Sequence, residues 1–196
     1  SRVSGKVGQT NVGLLSMFTD EVEIDRDIGI VKNNYSVARV NHDFAKSRSS
    51  LGGLFVNRNG RGISDDYNSV FALDGKLGLG KKAQITGYIS KSSTPGIKSR
   101  ENAFKILAVY NWNGWNLRAG YTEVGEGFNP EVGFLQRSAF KKPEFLIFKQ
   151  WRPNNTGKFL EVRPHVSYRG YWNFNNTQET GFLHIDNHWV WESGFE

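Results

Sequence analysis

The chain has 196 residues, a formal net charge of +6, 38% hydrophobic and 22% charged residues, and no cysteine, which rules out disulfide scaffolds, zinc–thiolate centres and cysteine nucleophiles. Its lysines and arginines are scattered, doubled only at Lys81-Lys82 and Lys141-Lys142, so the charge forms no patch of the kind that binds nucleic acid and no nucleic-acid partner is expected. No apolar run approaches the roughly 20 residues of a membrane helix, and no signal peptide opens the chain.

Ser1 to Val7 reads as a strand, Gly8 to Asn11 as a turn and Val12 to Asp20 as a second strand. A strand that starts at Ser1 rather than Met is expected of a segment cut from a longer precursor. Asp20 to Asn33 has no clear period and reads as a loop. Tyr35 to Phe44 and Ser49 to Asn57 are the next strand pair, joined by the polar Ala45 to Arg48, and Asn57 to Asp66 is a long, turn-forming surface loop.

From Tyr67 to Leu79 the alternation is clean. Phe71, Leu73, Leu77 and Leu79 share one face with Gly75, while Ala72, Asp74, Lys76 and Gly78 take the other. A three-residue connection at Gly80 to Lys82 sets Leu79 opposite Ala83, Leu77 opposite Ile85, Gly75 opposite Gly87 and Leu73 opposite Ile89, matching apolar to apolar. Ser92 to Arg100 is a second long loop.

The strongest local signal is AFKILAVYNWNGWNLRAGY, residues 103 to 121. Asn113-Gly114 accepts positive φ at both central positions of a type I′ turn. The register of that turn pairs Trp112 with Trp115, Tyr110 with Leu117, Ala108 with Ala119 and Ile106 with Tyr121 on an apolar face. It pairs Asn111 with Asn116, Val109 with Arg118, Leu107 with Gly120 and Lys105 with Thr122 on a mixed, polar one. After the Gly-rich stretch from Gly125 to Arg137, strands are expected from Pro143 to Arg152 and from Phe159 to Trp172. A two-residue turn at Asn175-Asn176 returns the chain from Thr180 to Trp191.

The sum is all-β: an antiparallel up-and-down meander of about eleven strands, forming an outer-membrane-type β-barrel or a large part of one. Residues 1–196 make a single domain, read as a segment of a longer barrel because bacterial single-chain barrels usually have an even strand count. Several strands reach the roughly 9 to 11 residues that cross a bilayer. Turns alternate between short and long, and Trp112, Trp115, Trp172, Trp189 and Trp191 lie near strand ends as in an aromatic belt. The competing architecture is a soluble sheet in which the same aromatics fill a core.

Three stretches, NYSVARVNHDFAKSRSSLGGLFVNR, YNSVFALDGKLGL and YTEVGEGFNPEVGFLQRSAF, resemble a family of Gram-negative outer-membrane proteins in which a family-9-like carbohydrate-binding module precedes a large barrel domain of unknown function. The similarity runs from Arg2 to about Arg152 and is densest from Phe128 to Phe134. It implies the bacterial outer membrane, with membrane lipid and carbohydrate as partners, and supplies no catalytic residues. The chain departs from the family in lacking the amino-terminal module and in ending at Ser193-Gly194-Phe195-Glu196 without a terminal aromatic.

Candidate chemistry is sparse. In the last hairpin the expected register sets His165 opposite Asp186, Arg163 opposite His188 and Ser167 opposite His184. His165 and Asp186 are then within reach of a shared proton or metal. His184 and His188, four residues apart on one strand, are roughly 13 Å apart and cannot share one directly. With Asp74 and Lys76, the residues Arg163, His165, Asp186 and His188 read as hydrated charges lining a polar lumen, with no metal and no cofactor expected. Glu123, Glu126 and Glu131 are the only candidates for a glycoside-hydrolase acid pair, although Asn129-Pro130 and the neighbouring glycines read more simply as an irregular turn at the barrel rim. The leading functional reading is a non-enzymatic outer-membrane barrel that transports or handles glycan-derived solutes. The alternatives are a soluble or surface carbohydrate-binding β domain and, weaker, a glycoside hydrolase-like enzyme.

Overall fold

The computed structural model describes residues 1–25, 28–62, 64–153 and 159–196, with backbone alone between 23 and 30. Eleven strands form one antiparallel sheet in which every strand but one pair follows its sequence neighbour. In chain order the strands are β1 (Arg2–Val7), β2 (Thr10–Thr19), β3 (Val22–Asp25), β4 (Ile28–Ile30), β5 (Asn33–Phe44), β6 (Ser49–Gly60), β7 (Tyr67–Leu79), β8 (Ala83–Ser93), β9 (Asn102–Trp112), β10 (Trp115–Val124), β11 (Phe140–Lys149), β12 (Phe159–Trp172) and β13 (Gln178–Trp191). β3 and β4 pair only with each other, and β1 and β13 are the two edges of the large sheet. The antiparallel meander read from the sequence is the one observed.

Its registers follow from turn chemistry. Asn113 (φ 49°) and Gly114 (φ 77°) both take the left-handed conformation of a type I′ turn, and all eight expected pairs from Trp112–Trp115 to Lys105–Thr122 are formed. Gly80 (φ 61°) opens the β7–β8 connection, and Leu79–Ala83, Leu77–Ile85, Gly75–Gly87 and Leu73–Ile89 pair as expected.

Four local expectations are corrected. The stretch read as a loop from Asp20 to Asn33 contains the β3–β4 hairpin, whose four- and three-residue strands are too short to show a period. The loop expected from Asn57 begins only after Gly60, because Asn57, Arg58 and Asn59 pair with Ser69, Asn68 and Tyr67; polar side chains there belong to a strand. β11 begins at Phe140 and ends at Lys149, rather than spanning Pro143 to Arg152. The last hairpin turns through Asn173–Thr177, where Asn173 donates its N–H to the Thr177 carbonyl (2.9 Å), instead of through two residues. A register shift between Tyr171 and Trp172 offsets the longer turn, so His165–Asp186, Arg163–His188 and Ser167–His184 still pair.

Following the pairings across the sheet sorts every side chain to one of two faces. One carries Val12, Leu14, Val40, Phe55, Phe71, Leu73, Leu77, Ile85, Ile89, Ile106, Leu117, Phe145, Ile147, Leu183 and Ile185. The other carries Arg39, Asp74, Lys76, Thr86, Lys105, Arg118, Glu144, Arg163, His165 and Asp186. The apolar face is uncovered: Leu73 is 60% exposed and Ile185 74%. Among the described residues every buried side chain lies on the polar face, including Asn33, Val56, Asn68, Val70, Ser90, Ser92, Ala103, Thr122, Val124, Phe140 and Glu161. A curled sheet has this signature when the polar face is concave.

Connections alternate by end. One end has Gly8-Gln9, Ala45–Arg48, Gly80–Lys82, Asn113-Gly114 and the longer connection 150–158; the other has Asp20–Lys32, Arg61–Asp66, Thr94–Glu101, Gly125–Ala139 and Asn173–Thr177.

Candidate functional site

The polar face has two centres of organisation. At the long-loop end, the segment Gly125–Ala139 turns inward over the sheet instead of standing off it. Phe128 and Leu135 pack against Ala103, Val124 and Phe140, making the small apolar core. Beyond that core the segment reaches back across β8, β7 and β6. Asn68 of β7 donates to the Asn129 carbonyl (2.7 Å) and to Thr94 Oγ1 (2.8 Å), and its Oδ1 accepts from the Glu131 N–H (3.2 Å). Ser92 Oγ of β8 accepts from the Asn129 N–H (3.0 Å). Asn68 and Ser92 are each 1% exposed. Buried polar side chains of this kind must be hydrogen-bonded, and here most of their partners belong to the inward segment.

Arg58 of β6 completes the lock. Its guanidinium donates to Glu131 Oε2 (2.6 Å), Asp66 Oδ1 (2.6 Å) and Asn33 Oδ1 (2.9 Å), joining two long loops and a strand through one side chain. The same hydrogen bond holds the Asp66 carboxyl below its ordinary range. Nearer the middle of the sheet Arg39 forms a two-pronged pair with Asp74, with Nη2 to Oδ1 at 2.8 Å. The pair crosses over Gly52, where a Cβ would stand 2.7 Å from Arg39 Nη2.

The three carboxylates considered for acid–base chemistry do not converge. Glu123 lies on the apolar face, paired in register with Phe104 and Lys141, and accepts from the Tyr121 hydroxyl (2.9 Å). Glu126 is exposed at the start of the inward segment. Glu131 is engaged by Arg58 and by Asn129 Nδ2 (3.2 Å) over the opposite face.

The second centre is on β12 and β13, on the same polar face. His188 Nε2 is 3.2 Å and His184 Nε2 3.8 Å from Asp186 Oδ2, and His165 Nε2 is 3.1 Å from His184 Nε2. The two histidines on β13 do not meet each other, but Asp186 sits between them and both reach it. Arg163 contacts Glu161 (3.4 Å) and pairs with Glu196. Lys76 and Asp74 lie on this face on β7, away from the cluster, with Asp74 taken by Arg39.

The tryptophans divide between the ends. At the short-turn end Lys82 Nζ stands 3.2 Å from the Trp112 ring centroid and Lys149 Nζ 4.8 Å from that of Trp115, while Phe159 packs on Trp189 (5.1 Å) and Trp191 (4.3 Å). Trp172 lies at the opposite end, beside the Asn173–Thr177 turn.

Sequence reasoning passed over Asn68, Ser92 and Arg58, the residues that hold the inward segment. The available signal was polar side chains of strands whose partners are not on neighbouring strands.

An eleven-stranded antiparallel meander with one apolar and one polar face is the class that fold and site define. No family model matches the chain, and neither a curated protein nor a solved structure matches it.

Proposed function

We propose that this chain is part of a bacterial outer-membrane-type β-barrel whose apolar face meets lipid and whose polar face lines a lumen that passes polar, glycan-derived solutes. One observation carries the reading: most of the large exposed apolar side chains of the strands lie on one face of a sheet whose buried side chains, among the described residues, are all on the other. Water tolerates contiguous apolar patches of only a few hundred Å² on monomeric proteins, whereas hydrocarbon favours them. Strands from β5 to β13 of 10 to 14 residues suit a tilted crossing of the bilayer, and the Trp–Lys pairs at one end suit its interface. A shallow groove of about 650 Å³ on the apolar face is lined by Val12, Leu14, Val40, Phe55, Phe71 and Leu73. Such apolar walls fit acyl chains and offer few partners for sugar hydroxyls, which weighs against a carbohydrate site on that face.

The test is to refold the full-length protein into lipid vesicles and, separately, into detergent-free buffer, and to run both on a gel with and without boiling. The reading expects a fast-migrating unboiled band with lipid only. A monodisperse folded species in buffer alone overturns it, and saturable quenching of tryptophan fluorescence by oligosaccharides in that buffer replaces it with a carbohydrate-binding domain.

A further inference from the structure

We propose that His165, Asp186 and His188, with His184 as a fourth donor, bind one divalent transition ion of the zinc class on the polar face of the β12–β13 hairpin. Three of the chain's four histidines meet at this place, and among the described residues His165, Asp186 and His188 each bring a ligand atom within 4.8 Å of the others. Imidazole and carboxylate are the donors expected for zinc when no thiolate is present.

The spacing matches the ligand-to-ligand distances around an ion. Ligands held about 2.0 to 2.1 Å from a tetrahedral ion stand roughly 3.3 Å from each other. The His165–His184 nitrogens are 3.1 Å apart and the His188–Asp186 pair 3.2 Å, while the 3.8 Å between His184 and Asp186 closes with a small side-chain rotation.

The outer contacts point the donors inward. His165 Nδ1 lies 3.1 Å from the Arg163 carbonyl, which only accepts, so the proton belongs on Nδ1 and the Nε2 lone pair faces the cluster. His188 Nδ1 lies 3.3 Å from Glu196 Oε1, a carboxylate–histidine arrangement that leaves His188 Nε2 free toward Asp186. Asp186 Oδ1 is occupied by the Asn187 N–H (2.7 Å), leaving Oδ2 for the ion. Arg163, opposite His188 in register, is offset by Glu161 and Glu196. The ligand side chains are roughly half exposed on the polar face, so a bound ion keeps a position open to water or to a passing anionic group.

The site stands on the geometry of one hairpin and is independent of the membrane reading. The experiment uses the full-length folded protein, in whichever of lipid or buffer it folds, without a polyhistidine tag. Zinc is titrated in competition with a chromophoric chelator, and Co²⁺ is titrated by its visible spectrum. The expected result is one ion per chain, a tetrahedral or five-coordinate Co²⁺ spectrum without thiolate charge transfer, and Zn²⁺ displacing Co²⁺. The paired change His165→Gln with His188→Gln is expected to abolish binding. Glu196→Gln weakens it by about 10- to 100-fold, the usual effect of removing an outer-shell carboxylate. His42→Gln, on β5 and hydrogen-bonded to Thr10, leaves binding unchanged. Absence of stoichiometric zinc or cobalt binding by the unaltered protein overturns the proposal without recourse to any variant, as does a paired variant that folds and binds as the parent does.

Discussion

Replacing Asn68 by Ala is expected to release the inward segment while leaving the sheet intact. Three hydrogen bonds go with the side-chain amide: to the Asn129 carbonyl (2.7 Å), to Thr94 Oγ1 (2.8 Å) and from the Glu131 N–H (3.2 Å). Thr94 lies outside the inward segment, so the two bonds to Asn129 and Glu131, at about 1 kcal/mol each, put a loss of about 2 kcal/mol on its docking. Because Asn68 is 1% exposed, water does not replace these partners until the segment lifts, so the figure falls on the docking equilibrium of residues 125–139. A loss of that size is roughly a thirtyfold increase in the open population. Hydrogen exchange of the folded protein reads it directly: the Asn129 and Glu131 amides should exchange about thirtyfold faster, and limited proteolysis should cut within 125–139. The central β7–β8 amides should keep their protection, since their bonds lie within the ladder. Exchange at Asn129 and Glu131 within about threefold of the parent would refute the argument and assign the lock to the Phe128–Leu135 apolar contacts alone.

Other perturbations separate the remaining claims. Leu73→Lys places a charge at the centre of β7 on the apolar face, so in vesicles it should cost about 2 to 4 kcal/mol by denaturant unfolding, whereas an exposed position in water would change by less than about 0.5 kcal/mol. Gly114→Val puts a β-branched residue at φ 77° with its Cβ against the Gln150 carbonyl, and should lower stability in the same assay by about 1 to 3 kcal/mol. Asp66 has its carboxyl pKa lowered from 3.8 by the Arg58 hydrogen bond, so its contribution is full above that value and fades as pH falls through the lower folded-state value. Asp66→Asn should therefore weaken segment docking at pH 6 and flatten its dependence on pH below about 4, followed by proteolysis of residues 125–139 across that range. An equal pH dependence in both proteins would remove Asp66 from the lock.

Strands, faces and registers were legible because each depends on residues close in sequence. Asn113-Gly114 fixes two central φ values, those values set the register, and the register with period-two alternation assigns every side chain of β9 and β10 to a face. The same reasoning reached His165–Asp186 and Arg163–His188 although the turn beyond them has five residues, since the shift at Tyr171–Trp172 restores the pairing. It treated His184 and His188 as too far apart to cooperate, because backbone spacing alone does not show that two side chains lean toward an acceptor between them. The β3–β4 hairpin escaped because its strands span no more than two periods of alternation.

From the amino-acid order alone came the all-β meander, the division into an apolar and a polar face, and the residues opposed across each hairpin; these are local consequences of turn geometry and of a side-chain period of two. Only the folded chain decided that Gly125–Ala139 crosses back over β8, β7 and β6, that Asn68, Ser92 and Arg58 become its anchors, and that three histidines gather on Asp186. Asn68 and Asn129 are 61 residues apart and Arg58 and Glu131 are 73 apart, and what brings them together is the curvature accumulated over several strands, a property of the whole sheet that no single hairpin carries.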